Sequence, residues 1–218
     1  MNRVIGICGF IGSGKDTVAE YLVREHGFVR ESYAAPLKDA VAAVFHWPRS
    51  WLEGLTAEQR AWREQVDPWW SQRLGLPHLT PRWVLQQWGT EVCRRSFHDD
   101  VWIASMEHKI AQAKHDIVVS DCRFPNEINS IKQQGGIVIW VCRGDLPEWY
   151  QCACQENSMP KQALQMMEHQ YPHVHASEWA WINSDFDAVI DNNGSLESLY
   201  QQINDLVLNL QGSKVDQI

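Results

Sequence analysis

The run GFIGSGKDTVAEYL, Gly9 to Leu22, constrains this chain more than any other. Before it stands RVIGIC, Arg3 to Cys8, short, apolar and β-branched, which reads as a buried strand. After it, Val18, Tyr21, Leu22 and His26 recur at helical spacing, so a helix is predicted from near Lys15 to Gly27. A strand, a glycine-rich turn and a helix in that order converge backbone N–H groups and the positive end of a helix dipole on phosphate oxygens. Gly9, Gly14 and Lys15 fit the pattern G-x-x-x-x-G-K-[ST], with Gly12 and Ser13 inside the turn. Lys15 is expected to reach the β- and γ-phosphates of ATP. The pattern then asks for a hydroxyl to hold magnesium, and the chain has Asp16, with the hydroxyl one place later at Thr17. A carboxylate is also a hard oxygen ligand, so both Asp16 and Thr17 are expected beside Mg2+. The plainer alternative is a glycine turn that only packs a strand on a helix.

The rest of the chain repeats the alternation. FVRESY, DIVVSD (Asp116 to Asp121), IVIWVC (Ile137 to Cys142) and DAVI read as further strands. PLKDAVAAVF, PNEINSIKQQGG and SLESLYQQINDLVLNL read as helices, the last with Leu196, Leu199, Ile203, Leu206 and Leu210 on one face. The expected fold is α/β: a parallel sheet of about five strands wrapped by helices, with sites at the carboxyl ends of the strands. Eight of the twelve tryptophans fall between His46 and Trp102, a change of texture that sets residues 46–115 apart as a helical, substrate-binding insertion. Thr80 and Pro81 open one of its helices as cap and first turn. Residues 144–181 are polar and irregular and read as a lid-like segment of the same single domain, 1–218.

Charge and cysteine content narrow the function classes. A net charge of −8 argues against broad nucleic-acid binding. No run of about 18 apolar residues is present, so no membrane span is expected. The first residues are too short an apolar run for a signal peptide. Six dispersed cysteines read as thiols in a reducing cytoplasm. A homodimer is left open.

Across most of its length the chain resembles phage-type deoxynucleoside monophosphate kinases. The matching stretches are GSGKDTVA (Gly12–Ala19), A-PLK (Ala35–Lys38), GTE…R…D-W (Gly89–Trp102), D-RFPNE (Asp121–Glu127), H-SE (His175–Glu178) and NNGSLE-L (Asn192–Leu199). The resemblance implies a P-loop kinase fold and ATP-dependent conversion of a deoxynucleoside 5′-monophosphate to its diphosphate, in the host cytoplasm if the gene is a phage's. The G-K-small-Thr run of kinases resembling adenylate kinase is similar to the Asp16–Thr17 arrangement here.

The remaining site residues follow from these stretches. Asp121 is expected to hold magnesium or its water. Alternation along a strand puts Arg123 on the same side, where a guanidinium offsets charge on the migrating phosphoryl group; a pairing with Glu127 competes. Lys38 and Arg94 are candidates for the acceptor phosphate, Arg94 being preferred to Arg95 because helical spacing sets it on one face with Glu91. Trp102 is expected at the base and Asp99 or Asp100, Asp100 for choice, at the deoxyribose or base edge, against the general expectation that tryptophans are core and aspartates cap. Arg143, Lys161 and His175 are the basic groups left to the lid, Arg143 as a catalytic cation and His175 as a substrate contact, and Glu178 either contacts substrate or holds His175. Asn192 and Asn193 are expected beside the adenine of ATP, or in a plain turn. Cys152, Cys154, His169 and His173 give a weak zinc pattern. Other acceptors, dephospho-CoA or phosphomevalonate, are the alternative reading. A nucleotide-hydrolysing switch is weaker, since SKVD (Ser213 to Asp216) has no strand before it.

Overall fold

The computed structural model of the chain describes residues 2–154 and 160–212. Ser213 to Asp216 lie outside them, as does part of the expected lid. The chain divides into two compact units, one of Met1–Ser32 with Ile110–Ile218, the other of Tyr33–Lys109.

The first unit holds a five-stranded, wholly parallel sheet: β1 (Val4–Cys8), β2 (Val29–Glu31), β3 (Ile117–Val119), β4 (Ile137–Cys142) and β5 (Ala188–Asp191), in the order β2-β3-β1-β4-β5. Ile5 stands opposite Val118 on one side and Ile137 on the other. All five residues of β1 are buried, as a strand covered on both faces must be. Ile5 and Ile7 join Val118, Ile139, Val141 and Ile190 beneath α1 (Lys15–His26) and α10 (Leu196–Gly212), which contribute Val18, Leu22, Leu199, Ile203 and Val207. Each such side chain contributes about 1.5–3 kcal/mol by leaving water. The buried stripe of α10 is Leu199, Ile203 and Val207, while Leu196 is exposed, so the helix sits turned slightly from the face the sequence suggested. On the opposite face of β1, Gly6 admits α7 (Pro125–Gln133): a Cβ there would stand 2.6 Å from Ile131 Cδ1.

The chain leaves β1 for β2 on one side and leaves the neighbouring β4 for β5 on the other. The strand order therefore reverses between β1 and β4, where open parallel sheets form their binding crevice. The loop 9–14 springs from this point. The lid-like segment is more regular than its composition suggested, with α8 (Tyr150–Cys154), α9 (Pro160–Gln170) and a 3-10 turn (Ala176–Glu178).

The second unit is helical: α2 (Ala35–Phe45), a 3-10 turn (Trp51–Glu53), α3 (Ala57–Arg63), α4 (Pro68–Leu74), α5 (Pro81–Gln86), a π-helix (Gln87–Phe97) and most of α6 (Val101–Gln112). It begins before the expected insertion and takes in α2, which the sequence had grouped with the sheet. Its core is Leu37, Val41, Phe45, Trp47, Leu52, Leu79 and Val84, ringed by Trp62, Trp70, Trp83, Trp88 and Trp102. Thr80 caps α5 as expected, its hydroxyl accepting from the Trp83 amide at 3.1 Å. Asp67 does the same for α4, accepting from Trp70 at 3.0 Å.

Candidate active site

The glycines of the loop are required by its backbone. Gly12 and Gly14 have φ of 80° and 100°, in the left-handed region that side chains disfavour. A Cβ on Gly14 would also strike the Asn192 amide, and one on Gly9 would strike the Val141 carbonyl. Gly14 is the N-cap of α1 and supplies no side-chain acceptor, so the first amides of the helix have no cap to bond. Ser13 Oγ is buried without a hydrogen-bond partner among the described residues. Such a cradle of donors suits phosphate oxygens.

Lys15 folds back over its own loop. Its Nζ donates to the carbonyls of Gly9 and Phe10, both at 2.7 Å. Burial and the nearby Arg123 cation lower its pKa from 10.5 to about 8, against the opposing pull of Asp16 and Glu178. The same field therefore contains Lys15, Asp16, Arg123 and Glu178.

Arg123 reaches Glu178 Oε1 at 2.8 Å and the Ser177 carbonyl at 3.3 Å. Burial works against its charge, but the Glu178 carboxylate more than compensates and raises its pKa. Glu127 accepts from the Arg123 amide at 2.7 Å and from that of Phe124 at 3.2 Å, and its charge also helps to keep the Arg123 guanidinium protonated. The alternation argument for Asp121 and Arg123 does not apply, because β3 ends at Val119. Asp121 instead accepts from Ser32 Oγ at 2.7 Å. The His175 carbonyl accepts from the Glu178 amide at 2.9 Å. The His175 Nδ1 accepts from the Ser177 amide at 3.2 Å, capping the 3-10 turn.

Asp16 is ion-paired to Arg30, whose Nε donates to Ser120 Oγ at 2.9 Å. Arg30 and Ser32 were missed in the sequence. The available signal was a charged and a hydroxyl residue at the end of a very short strand. Asn192 Nδ2 donates to the Ser13 carbonyl at 2.8 Å, so this side chain braces the loop. Asn193 accepts from the Gly144 amide at 2.7 Å and tethers the segment after β4. Arg143 stands exposed beyond β4. The side chain of Lys161 lies outside the described residues.

The other candidates belong to the second unit. Lys38 is paired with Glu53 at 2.5 Å. Burial pushes the Glu53 carboxyl up, and Lys38 and Arg49 outweigh it, leaving the group below its ordinary value. Glu91 pairs with Arg95, four residues further along the π-helix, at 2.8 Å. Arg94 is only 7% exposed and donates to the Asp99 carbonyl at 3.3 Å. Trp102 is set into the tryptophan core, donating to the Gly89 carbonyl at 3.0 Å. The Asp100 amide donates to His98 Nδ1 at 3.1 Å at the start of α6.

The groups that could hold a magnesium ion are hard oxygens, the Thr17 hydroxyl and the Asp16 and Asp121 carboxylates. Among the described residues no three His, Cys, Asp or Glu side chains cluster as a metal cage, and Cys152, Cys154, His169 and His173 form no zinc group. A loop-bound magnesium needs no such cage, since nucleotide phosphates and water complete its shell.

A parallel sheet whose first strand feeds a glycine loop, a lysine and a helix defines a P-loop kinase fold. The chain is 30% identical over 214 residues to a protein of Acanthamoeba polyphaga mimivirus provisionally named a deoxynucleotide monophosphate kinase, a match covering 92% of this chain and 93% of that one. The chain belongs to the deoxynucleotide monophosphate kinase family. It is also 26% identical over 176 residues to the deoxynucleoside-5′-monophosphate kinase of Escherichia phage T5, covering 58% of this chain and 70% of that one. Among solved structures, a dephospho-CoA kinase from Campylobacter jejuni aligns over 98% of this chain and 100% of its own at 15% identity and a TM-score of 0.47. TT1252 from Thermus thermophilus aligns over 96% of this chain and 98% of its own at 17% identity, also with a TM-score of 0.47. No family model matches the chain. No helix among the described residues is long and apolar enough to cross a membrane.

Proposed function

We propose that this protein transfers the γ-phosphoryl group of ATP to a deoxynucleoside 5′-monophosphate, giving the diphosphate and ADP. The observation that carries this reading is the near full-length kinship with the mimivirus protein. The chemistry follows from the first unit. Phosphoryl transfer passes through a loose transition state whose charge spreads over the equatorial oxygens, so catalysis is positioning plus positive charge.

In this reading the loop amides and Lys15 receive the β- and γ-phosphates. Lys15 exchanges two neutral carbonyl partners for anionic oxygens, which strengthens its hydrogen bonds and restores its charge. Arg123 contributes the second cation and meets the charge that develops during transfer. Thr17, Asp16 and Asp121 would hold magnesium, which supplies neutralising charge to the phosphate oxygens. Asn192 and Asn193 fix the wall of the ATP site by bracing Ser13 and Gly144. Arg94 and Lys38 are our candidates for the acceptor phosphate, Trp102 and Asp100 for the nucleoside, and Glu91 for a further contact to the substrate. Arg143 and His175 are retained as basic groups near the lid. We place the protein in a reducing cytoplasm, a setting supported by six free cysteines.

Coupled ADP release, measured with each deoxynucleoside monophosphate, each ribonucleoside monophosphate and dephospho-CoA, tests the reading. Turnover with at least one deoxynucleotide, exceeding that with dephospho-CoA, is expected. Turnover with dephospho-CoA alone would replace the acceptor assignment.

A further inference from the structure

The phosphate loop and Arg123 are both fastened to the same short stretch, residues 176–181. The fastening to the loop is aromatic. The ring of Phe10, the second residue of the loop, lies 4.9 Å from Trp181, 5.6 Å from Trp149 and 6.0 Å from Tyr150, the last two edge-on. Trp181 is 2% exposed and also meets Trp140 and Phe186, so it is a fixed wall. The main chain of Phe10 is at the same time the acceptor for Lys15 Nζ and, at 3.2 Å, for the Ser13 amide. Moving this ring therefore moves the carbonyl that sets the resting position of Lys15.

The fastening to Arg123 is polar. Trp181 Nε1 donates to the Glu178 carbonyl at 3.0 Å, and the Glu178 carboxylate holds the guanidinium. Arg123 also donates to the carbonyl of Ser177. The far end is secured too: Asn183 Nδ2 donates to the carbonyls of Ala153 and Cys154 at 3.2 and 3.3 Å, closing the end of α8, whose Tyr150 touches Phe10.

We infer that residues 176–181 form a clasp that sets the phosphate loop and Arg123 in one arrangement, with Phe10, Trp181 and Glu178 as positioning residues for the transfer step. The inference rests on the reading of Lys15 and Arg123 as phosphate-binding groups. A ring contact of this kind changes an equilibrium by about twofold to tenfold beyond simple burial. Phe10→Leu keeps an apolar side chain and the main-chain carbonyl but removes the ring.

The experiment is a double-mutant cycle on the full chain: Phe10→Leu, Glu178→Gln and both together. Kcat and KM for ATP are read alongside amide hydrogen exchange over residues 10–17 and 176–181, with and without ADP. Phe10→Leu is expected to raise KM for ATP and to lower kcat about threefold to tenfold. Its effect on kcat should disappear in the Glu178→Gln background, while its effect on KM should persist. Trp181→Phe, which keeps a ring and loses the N–H, should reproduce part of the kcat loss alone. In the parent protein ADP should slow exchange over 176–181, and in Phe10→Leu that protection should be lost. A lowered melting temperature with kcat and ADP protection intact would overturn the clasp, as would equal kcat effects in both backgrounds. Absence of turnover with every acceptor, together with ADP protection that depends on Phe10, would count against the kinase reading and support the clasp.

Discussion

At the scale of single residues, the least comfortable group is Lys15. Its folded pKa of about 8 lies below the ordinary 10.5, so between these values the unfolded chain binds more protons than the folded one. Stability that Lys15 opposes near neutrality is thus recovered as pH rises from about 8 towards 10.5. The melting temperature of the parent relative to Lys15→Met should climb across that window, measured without nucleotide. The same depressed pKa should make Lys15 more readily acylated near pH 8 than a lysine of ordinary pKa, with ATP protecting it, as peptide mapping would report. Lys15→Met should abolish transfer while leaving the protein folded. Arg94 and Arg95 separate as sharply. Arg94→Ala removes a buried donor from the Asp99 carbonyl and should cost about 1–3 kcal/mol of stability. It should also raise KM for the deoxynucleotide and leave that for ATP little changed. Arg95→Ala breaks only an exposed pair with Glu91 and should shift stability by less than about 1 kcal/mol. An ATP-side defect in Arg94→Ala would contradict its assignment to the acceptor.

At the scale of elements, the strand–loop–helix unit was legible because each signal in it is local. Glycines appear where φ is positive, and Gly27 stops α1 with φ of 70°. Helix caps at Thr80 and the five strands were readable for the same reason. What escaped was whatever depends on a partner distant in sequence. Arg30 and Asp16 are fourteen residues apart and meet only because β2 lies across β3 from β1. Glu178 finds Arg123 across fifty-five positions. The π-helix was read as an α-helix because its residues carry no signature of the wider turn, and the pairing of Glu91 with Arg95 was not foreseen. Two substitutions probe the loop element. Gly14→Ala forces a side chain into a left-handed conformation, costing about 1–3 kcal/mol, and into the Asn192 amide. Gly14→Ala should therefore lower both stability and ATP affinity, and Asn192→Ala in the Gly14→Ala background should recover part of the lost stability and no more, because the strain in φ remains. Full recovery would mean that the collision alone matters. Asp16→Asn should change stability by less than about 1 kcal/mol, the pair with Arg30 being largely exposed, yet raise the magnesium concentration needed for half-maximal ATP binding. An unchanged requirement would leave Thr17 and Asp121 as the ligands and make Asp16 a partner of Arg30 only.

At the scale of the whole molecule, the chain is two cores with different chemistries. The first is an aliphatic sheet built of Ile, Val and Leu, and it carries the phosphate loop, Lys15 and Arg123. The second is a tryptophan-rich helical core, and it carries Lys38, Arg94 and Trp102. Its rings are mostly spent on packing, Trp69 being an exception at 60% exposure, so the aromatic richness that drew attention in the sequence is chiefly structural. If ATP is the ligand of the first unit and the deoxynucleotide that of the second, each should protect its own unit. Hydrogen exchange with a non-hydrolysable ATP analogue should slow exchange in residues 9–19 and 190–194. A deoxynucleoside monophosphate alone should act instead on residues 35–45 and 87–102, and Arg94→Ala should weaken that second protection at least tenfold in ligand concentration while sparing the first. Protection of residues 9–19 by the deoxynucleotide alone, or of 87–102 by the ATP analogue alone, would require the two ligands to be reassigned between the units.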